Sequence, residues 1–258
     1  MNEIKVLGAY GTKAKDFGTT CFLINNEHVI DAGNILNTMG EQAADIEHIW
    51  LTHSHLDHIS DIAYVLDNYF SARKKTLKIH GLAPTLKALR KHFFNDLIWP
   101  DFSKIALVNS KDMAMSYHDI EVGTVYKLNE TTALEPFRTD HTVPSCGYMI
   151  QKNNSTVLIT ADTYDLSNAI ELIETRKEIT AVILECSFPS YMEKLAYDSK
   201  HLTPKLLFEK LKNIKRDDFT LYINHIKPTY LEIITKEIAQ YCGDWEANIL
   251  KDEEIITF

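Results

Sequence analysis

A histidine-rich segment at residues 52–58 is the densest group of metal-binding side chains in the sequence. Its sequence is THSHLDH, so three imidazoles and one carboxylate occupy the six positions 53–58. It directly follows an apolar strand-like run, and alternate residues of an extended backbone can converge on one point at a strand-to-helix turn. Borderline divalent metals prefer such a mixture of nitrogen and oxygen ligands. The segment therefore predicts a metal site, and a solvated loop that merely contains many histidines is the weaker interpretation.

Three later residues are candidates for completing this site. His141 lies in DHTVPS, Asp162 lies in TADT, and His225 lies in NHIKP. Asp162 and His225 also come at the ends of apolar strand-like runs, at 156–159 and 219–223. Each residue alone is more typical of a loop or a helix cap than of a metal ligand. Their presence together with the first cluster favours a shared role as ligands.

Strands and helices alternate around these residues. Helical periodicity occurs at 59–69, 84–94, 204–211 and 228–240. Because sheet and helix interleave in both halves, the predicted class is α/β, with helices on the outer faces of the sheet. Runs rich in β-branched and aromatic residues predict the strands, at 4–7, 21–24, 28–30, 48–51, 156–159, 179–184 and 219–223.

The bulk composition is that of an ordinary globular protein. The chain has 258 residues, of which 45% are hydrophobic and 24% charged, which suffices for one sizeable core. It contains no linker-like stretch and no repeat, so we expect a single domain over residues 1–258. The sequence shows neither a signal-peptide pattern nor the roughly 20 consecutive apolar residues of a membrane helix. These features predict a soluble, cytoplasmic protein without membrane contact.

The formal net charge limits the kinds of partner that the protein can bind. A formal charge of −9 argues against long nucleic acids, which bind basic surfaces, and leaves small anions as partners.

The cysteines form no C-x-x-C pair, so we interpret them as core residues in a reducing compartment. The isolated histidines are interpreted as ordinary core or surface residues. The cysteines are Cys21, Cys146, Cys186 and Cys242, and the isolated histidines are His28, His48, His80, His92 and His118.

The metal-binding pattern resembles that of the metallo-β-lactamase superfamily. The H-x-H-x-D-H motif of that superfamily matches residues 53–58, its later His, Asp and His match the three candidates above, and the early VIDAG at 29–33 also fits. The resemblance covers the whole chain and implies a four-layer αββα sandwich with two metals at one edge of the sheets. It implies one metal on His53, His55 and His141, a second on Asp57, His58 and His225, and Asp162 as the bridge between them.

Other segments resemble the class II cyclic-nucleotide phosphodiesterases. ECSFP at 185–189 and HLTP at 201–204 discriminate best, because the metal motif is common to the whole superfamily. THSHLDHI at 52–59, the aromatic segment 93–100 and NHIKP at 224–228 also look like that family. The resemblance implies hydrolysis of 3′,5′-cyclic AMP or cyclic GMP to the 5′-monophosphate, and it implies a homodimer.

The same two positions resemble the transfer-RNA 3′-processing endonucleases. In that family a glutamate and a histidine protonate the leaving oxygen, and here these would be Glu185 and His201. HLTP also has a structural explanation, because Thr203 is a good helix N-cap and Pro204 suits the first helical position. That explanation leaves His201 unassigned. No Gly-rich or Lys-rich insertion resembles the basic arm of the endonucleases.

The predicted mechanism is dinuclear phosphodiester hydrolysis. Nitrogen and oxygen ligands suit Zn²⁺, and also Mn²⁺ or Fe²⁺. Asp57 is expected to orient the attacking water, while His201, kept protonated by Glu185, is the expected acid for the leaving oxygen. The alternatives are an RNA-processing nuclease, a thioester or lactone hydrolase, and a non-catalytic metal-binding module. The presence of all seven ligands argues against the last of these.

Overall fold

Fourteen strands form two mixed sheets in the computed structural model, which describes residues 2–108 and 110–258. The strands are β1 (Glu3–Gly8), β2 (Cys21–Asn25), β3 (His28–Ile30), β4 (His48–Trp50), β5 (Leu77–Gly81), β6 (Met115–Asp119), β7 (Tyr126–Lys127), β8 (Thr132–Thr139), β9 (Ser145–Lys152), β10 (Ser155–Ile159), β11 (Ile179–Glu185), β12 (Thr220–Asn224), β13 (Ala247–Ile249) and β14 (Ile255–Thr257).

The two sheets share one pattern of strand directions. The first has the order β14-β1-β2-β3-β4-β5-β6, in which neighbours are antiparallel up to β3 and parallel from β3 to β6. The second has the order β7-β8-β9-β10-β11-β12-β13, antiparallel up to β10 and parallel from there to β13. Parallel strands end at a common edge, so loops that follow them in both sheets can contribute to one site.

Helices cover the outer faces of both sheets. The α-helices are α1 (Ile35–Met39), α2 (Leu56–Tyr69), α3 (Ala83–His92), α4 (Ser167–Thr175), α5 (Glu193–Ser199), α6 (Pro204–Leu211) and α7 (Leu231–Tyr241). Short 3₁₀ turns lie at Gly40–Asp45, Phe102–Lys104, Ser190–Met192 and Pro228–Tyr230. Within the described ranges, no helix has the length and apolar character needed to cross a bilayer.

Three buried clusters separate four layers. One cluster lies between the first sheet and α1 to α3, the second lies between the two sheets, and the third lies between the second sheet and helices α4, α6 and α7. The predicted αββα sandwich is therefore confirmed. Members of the clusters include, in that order, Ile49 with Ile62, Ile30 with Tyr148, and Val182 with Ile234.

Two helices begin next to the candidate site, and the local sequence determines where each of them starts. The helix predicted at 204–211 is confirmed as α6, and Thr203 caps it by accepting a hydrogen bond from the Leu206 amide. The prediction that α2 starts at Ile59 was wrong by three residues, since the helix begins at Leu56. Asp57 and His58 therefore belong to the first helical turn, where polar residues hid the apolar periodicity.

Four of the isolated histidines form a ladder across the first sheet. His28, His48, His80 and His118 lie on the neighbouring strands β3 to β6, and Trp50 stacks among them. Ring centroids are 4.1 Å apart for His28 and His48, and 3.9 Å apart for Trp50 and His80. The His48 Nδ1 and His80 Nε2 atoms are 2.9 Å apart, which is hydrogen-bond distance. The interpretation of these residues as isolated missed this pairing, which depends on strand register.

This ladder predicts a stability that falls with acid. Burial lowers the pKa of His28 to about 4, of His48 to about 3 and of His80 to about 2. Unfolded imidazoles titrate near 6.5, so below that pH the unfolded chain binds protons that the folded chain does not. The ladder's contribution is therefore complete above pH 6.5 and is lost as the pH falls, down to about pH 4 for His28, about pH 3 for His48 and about pH 2 for His80. Each histidine adds at most ~1.4 kcal/mol per pH unit to this slope, reduced by solvent contact.

Urea denaturation of metal-free protein between pH 7.5 and 5 measures this slope. Replacing one ladder histidine, in His48→Gln, should give a flatter pH dependence than the wild type. His92 is exposed on α3 and outside the ladder, so His92→Gln is the matched control and should leave the ladder's contribution intact. Equal slopes in His48→Gln and wild type would contradict the assignment.

Candidate metal centre

The seven predicted ligands lie together at the edge where the parallel strands end. The segment after β4 and the first turn of α2 supply four of them, and the loop between β8 and β9 supplies another. The remaining two follow the ends of β10 and β12. In this order the residues are His53, His55, Asp57 and His58, then His141, then Asp162 and His225.

Unusual backbone conformations turn the chain sharply after these strands. Asp31 after β3, Ala161 after β10 and His225 after β12 have φ angles of 57°, 53° and 61°. Such left-handed conformations cost non-glycine residues of order 1–3 kcal/mol and cluster at functional sites. They let the chain leave each strand abruptly, which places Asp162 and His225 at the edge of the sheet.

Asp162 lies at the centre of the cluster. Its Oδ2 atom is 3.2 Å from His225 Nε2, 3.4 Å from His58 Nε2, 3.7 Å from His53 Nε2 and 3.8 Å from His141 Nε2. The Nε2 atoms of His53 and His58 are buried and lack a hydrogen-bond partner among the described residues, as does Asp162 Oδ1. Buried polar atoms of a native protein have partners, so these atoms are available to a cation.

The ligand atoms divide into two groups, each with its atoms within 4.8 Å of one another. Asp162 belongs to the first group and is also within 3.4 Å of His58 and His225 of the second. Imidazole and carboxylate donors at this density suit divalent metals. The first group is His53, His55, His141 and Asp162, and the second is Asp57, His58 and His225.

Oxygen atoms hold the other nitrogen of four of these histidines. This arrangement fixes the ring orientation and tautomer of a metal-binding histidine. The sequence analysis did not identify these partners, although Asp31 and Thr52 lie in segments that it quoted. The contacts join His58 Nδ1 to Asp31 Oδ2 (2.7 Å), His225 Nδ1 to Thr20 Oγ1 (2.8 Å), His53 Nδ1 to Thr52 Oγ1 (3.0 Å) and His141 Nδ1 to the Lys200 carbonyl (3.1 Å).

The electrostatics of the cluster suit a cation. Burial lowers the pKa of His53, of His55 and of His141, in the last case to about 4, so these rings are neutral and can donate a lone pair. Burial also disfavours the charged form of His58, but the carboxylates of Asp162 and Asp31 outweigh it and raise the pKa of His58. Carboxylates that draw a proton onto a buried imidazole create the negative potential that a metal ion would offset.

Glu185 and His201 form a buried pair beside the cluster. Glu185 Oε1 is 2.9 Å from His201 Nδ1 and accepts a hydrogen bond from the Thr163 amide, while Oε2 accepts one from Ser187 Oγ. A ring nitrogen of His201 lies within 4.8 Å of ligand atoms of Asp162 and His225. Burial opposes protonation of His201, but the Glu185 carboxylate overcomes it and raises the pKa of His201. The pair can therefore hold a proton at the edge of the ligand cluster.

Comparison with known proteins gives a consistent assignment. The family model "cAMP phosphodiesterases class-II" matches residues 12–241. Among curated proteins, 3′,5′-cyclic-nucleotide phosphodiesterase 1 of Saccharomyces cerevisiae is 25% identical over 237 residues, which cover 79% of this chain. The chain spans only 62% of the length of that relative.

Two solved structures show the fold. The structure of unliganded yeast PDE1 superposes with a TM-score of 0.82 at 19% identity and covers 99% of both chains. The metallo-β-lactamase fold protein YhfI from Bacillus subtilis superposes with a TM-score of 0.74 at 20% identity, again over 99% of both chains. The metallo-β-lactamase fold predicted from the sequence is thereby confirmed.

Proposed function

Because the chain belongs to the class II cAMP phosphodiesterases, we propose that it hydrolyses 3′,5′-cyclic nucleotides to 5′-monophosphates with the help of two divalent ions, zinc in the first instance. The observation that carries this proposal is the buried Glu185–His201 pair at the edge of the ligand cluster. A proton donor at this place serves a substrate whose leaving group departs poorly as an anion.

The proposed ligand assignment follows the two groups of side chains. One ion would be held by His53, His55 and His141, the other by Asp57, His58 and His225, with Asp162 shared. The four distances from Asp162 Oδ2 to imidazole nitrogens, all between 3.2 and 3.8 Å, support this sharing. The chemistry such ions supply when bound is neutralisation of phosphoryl oxygens and a water acidic enough to ionise near neutral pH.

Asp57 is the proposed orienting group for the attacking water. Its side chain is 29% exposed, so solvent water can reach it. Burial raises the pKa of this carboxyl, but His58 and His225 outweigh burial and lower the pKa below its usual range. Asp57 is therefore an anion at neutral pH and can accept a hydrogen bond from the water that attacks phosphorus.

His201 is the proposed acid for the leaving oxygen. As the bond between phosphorus and the 3′-oxygen breaks, the imidazolium gives its proton to that oxygen, and Glu185 stabilises the charged form beforehand. A positioned acid is worth ~10²–10⁴ in rate when the leaving group is a basic alkoxide. A thiolate leaves without such help, so the pair favours a phosphodiester over a thioester substrate.

Product analysis tests the proposal. Zinc-loaded protein is expected to convert cyclic AMP or cyclic GMP to the 5′-monophosphate, because in the proposed mechanism His201 protonates the 3′-oxygen. ³¹P NMR or chromatography distinguishes the two monophosphates. Precursor transfer RNA and a thioester serve as comparison substrates. Formation of the 3′-monophosphate alone would reverse the geometry. Turnover of a comparison substrate without cleavage of either nucleotide would reject this function in favour of a rival hydrolase.

A further inference from the structure

Lys227 lies beside the ligand cluster, and the proposed mechanism gives it no role. It belongs to the NHIKP segment, two residues after His225. Its ammonium donates a hydrogen bond to the Gly11 carbonyl at 3.1 Å and lies 5.2 Å from the centroid of the Phe188 ring. An ammonium has three donors. Within residues 2–108 and 110–258 this is its one hydrogen bond, and Lys227 forms no ion pair there.

Both partners of Lys227 abut residues of the site. A Cβ atom added to Gly11 would lie 2.8 Å from Cδ2 and 3.1 Å from Nε2 of His225, so Gly11 lies against the edge of that ring that faces Asp162. The Phe188 ring centroid is 5.7 Å from that of His201. The ammonium is therefore held at the rim of the site, near enough to His201 for its charge to oppose protonation of that ring.

The charges around this rim explain why an ammonium there matters. The charges of Asp57 and Asp162 would be offset by the ions of the proposed centre, and Glu185 is paired with His201, so none of these carboxylates serves as the counterion of Lys227. Lys200 also lies beside the site, but its ammonium pairs with Asp140 at 3.0 Å. Lys227 is held by a carbonyl and an aromatic face instead, so its positive charge remains available to an incoming anion.

We propose that the Lys227 ammonium binds a non-bridging phosphoryl oxygen of the substrate on the side of His201. This inference rests on the proposed function, because it requires a phosphodiester substrate. The glycine at position 11 allows the backbone that holds Lys227 to lie close to His225, since any side chain there would contact His225. Phe188 is 94% buried and excludes water from one side of the ammonium, which strengthens an electrostatic contact. A hydrogen bond to a charged group contributes ~1.5–3 kcal/mol, which corresponds to about tenfold or more in affinity.

Phosphate binding tests this role directly. Inorganic phosphate is titrated into zinc-loaded protein by calorimetry, with metal content and melting temperature measured on the same samples. Lys227→Met is expected to weaken phosphate binding about 10-fold or more, whereas Lys227→Arg, which keeps the charge, should lose much less. Lys212→Met removes an exposed lysine at the end of α6 and is the matched control, expected to bind phosphate like the wild type. Metal content should be equal in all four proteins.

Cyclic AMP kinetics separate this inference from the proposed function. In Lys227→Met we expect KM to rise more than kcat falls, because the contact exists in the bound substrate as well as in the transition state. An unchanged phosphate affinity in Lys227→Met would overturn the role of Lys227. A lower metal content or a lower melting temperature would also overturn it, because it would show that Lys227 is a structural residue. If phosphate binding weakens as expected but wild-type protein does not cleave cyclic nucleotides, the substrate assignment fails and the assignment of Lys227 stands.

Discussion

Asp162→Ala is expected to lower metal content from close to two ions per chain and to reduce kcat/KM on cyclic AMP by more than about 100-fold, because substitution of a mere hydrogen-bond partner of a ligand already costs ~10–100-fold. The reason is the position of Asp162 Oδ2, which lies 3.2–3.8 Å from four imidazole nitrogens. Removal of this carboxylate leaves those imidazoles without the anion that they share. Elemental analysis of the purified protein and steady-state kinetics measure the two effects.

Asp165 provides a control for this substitution. It lies three residues further along the same loop, it is exposed, and it is not part of the ligand groups. Asp165→Ala should keep the metal content and turnover of the wild type. If Asp162→Ala kept two ions per chain and full activity, Asp162 would not be a shared ligand.

His201→Ala is expected to reduce turnover in proportion to how poorly the leaving group departs. On cyclic AMP, whose 3′-alkoxide is strongly basic, the loss should be about 10²-fold or more. On a p-nitrophenyl phosphodiester, whose phenolate departs readily, the loss should be much smaller. Metal content should not change, because His201 lies outside the proposed ligand set. Kinetics on both substrates with each protein, at matched zinc content, measure the difference.

Thr203→Ala is the control that separates an acid from a structural residue. Thr203 caps α6 two residues after His201, and loss of such a cap costs ~1 kcal/mol of stability. This variant should affect both substrates equally. Equal losses on the two substrates in His201→Ala, or loss of a metal ion, would show that His201 supports the fold and does not serve as the acid.

The sequence predicted which side chains come together at this edge of the sheets, because the proposed role in metal binding restricts residue type and spacing. His53, His55 and His58 are recognisable without any structure, since few other purposes require three imidazoles in six positions. Asp162 and His225 were found because they end apolar runs, and the structure places them at the ends of β10 and β12. Strand ends are set by local sequence, so this part of the site depended on short-range information.

Features that depend on distant pairing were not predictable from one sequence. Thr20 holds His225 across 205 positions of the chain, and nothing near Thr20 indicates that role. β8 was missed because Pro136 interrupts it, and proline is not expected inside a sheet. The histidine ladder likewise requires the register of four neighbouring strands.

The ligands of the proposed centre come from both halves of the sandwich, and this has a consequence for how the fold responds to its surroundings. The segment after β4 belongs to the first sheet, whereas Asp162 and His225 follow strands of the second. A cation held between them would act as a thermodynamic cross-link between two layers that are also joined by apolar contacts and hydrogen bonds. A ligand that binds only the native state at 100 times its dissociation constant adds ~2.7 kcal/mol to the free energy of unfolding. If the proposed centre binds its ions, the free-metal concentration would therefore change the free energy of unfolding, and scarcity of the ion would favour the unfolded chain.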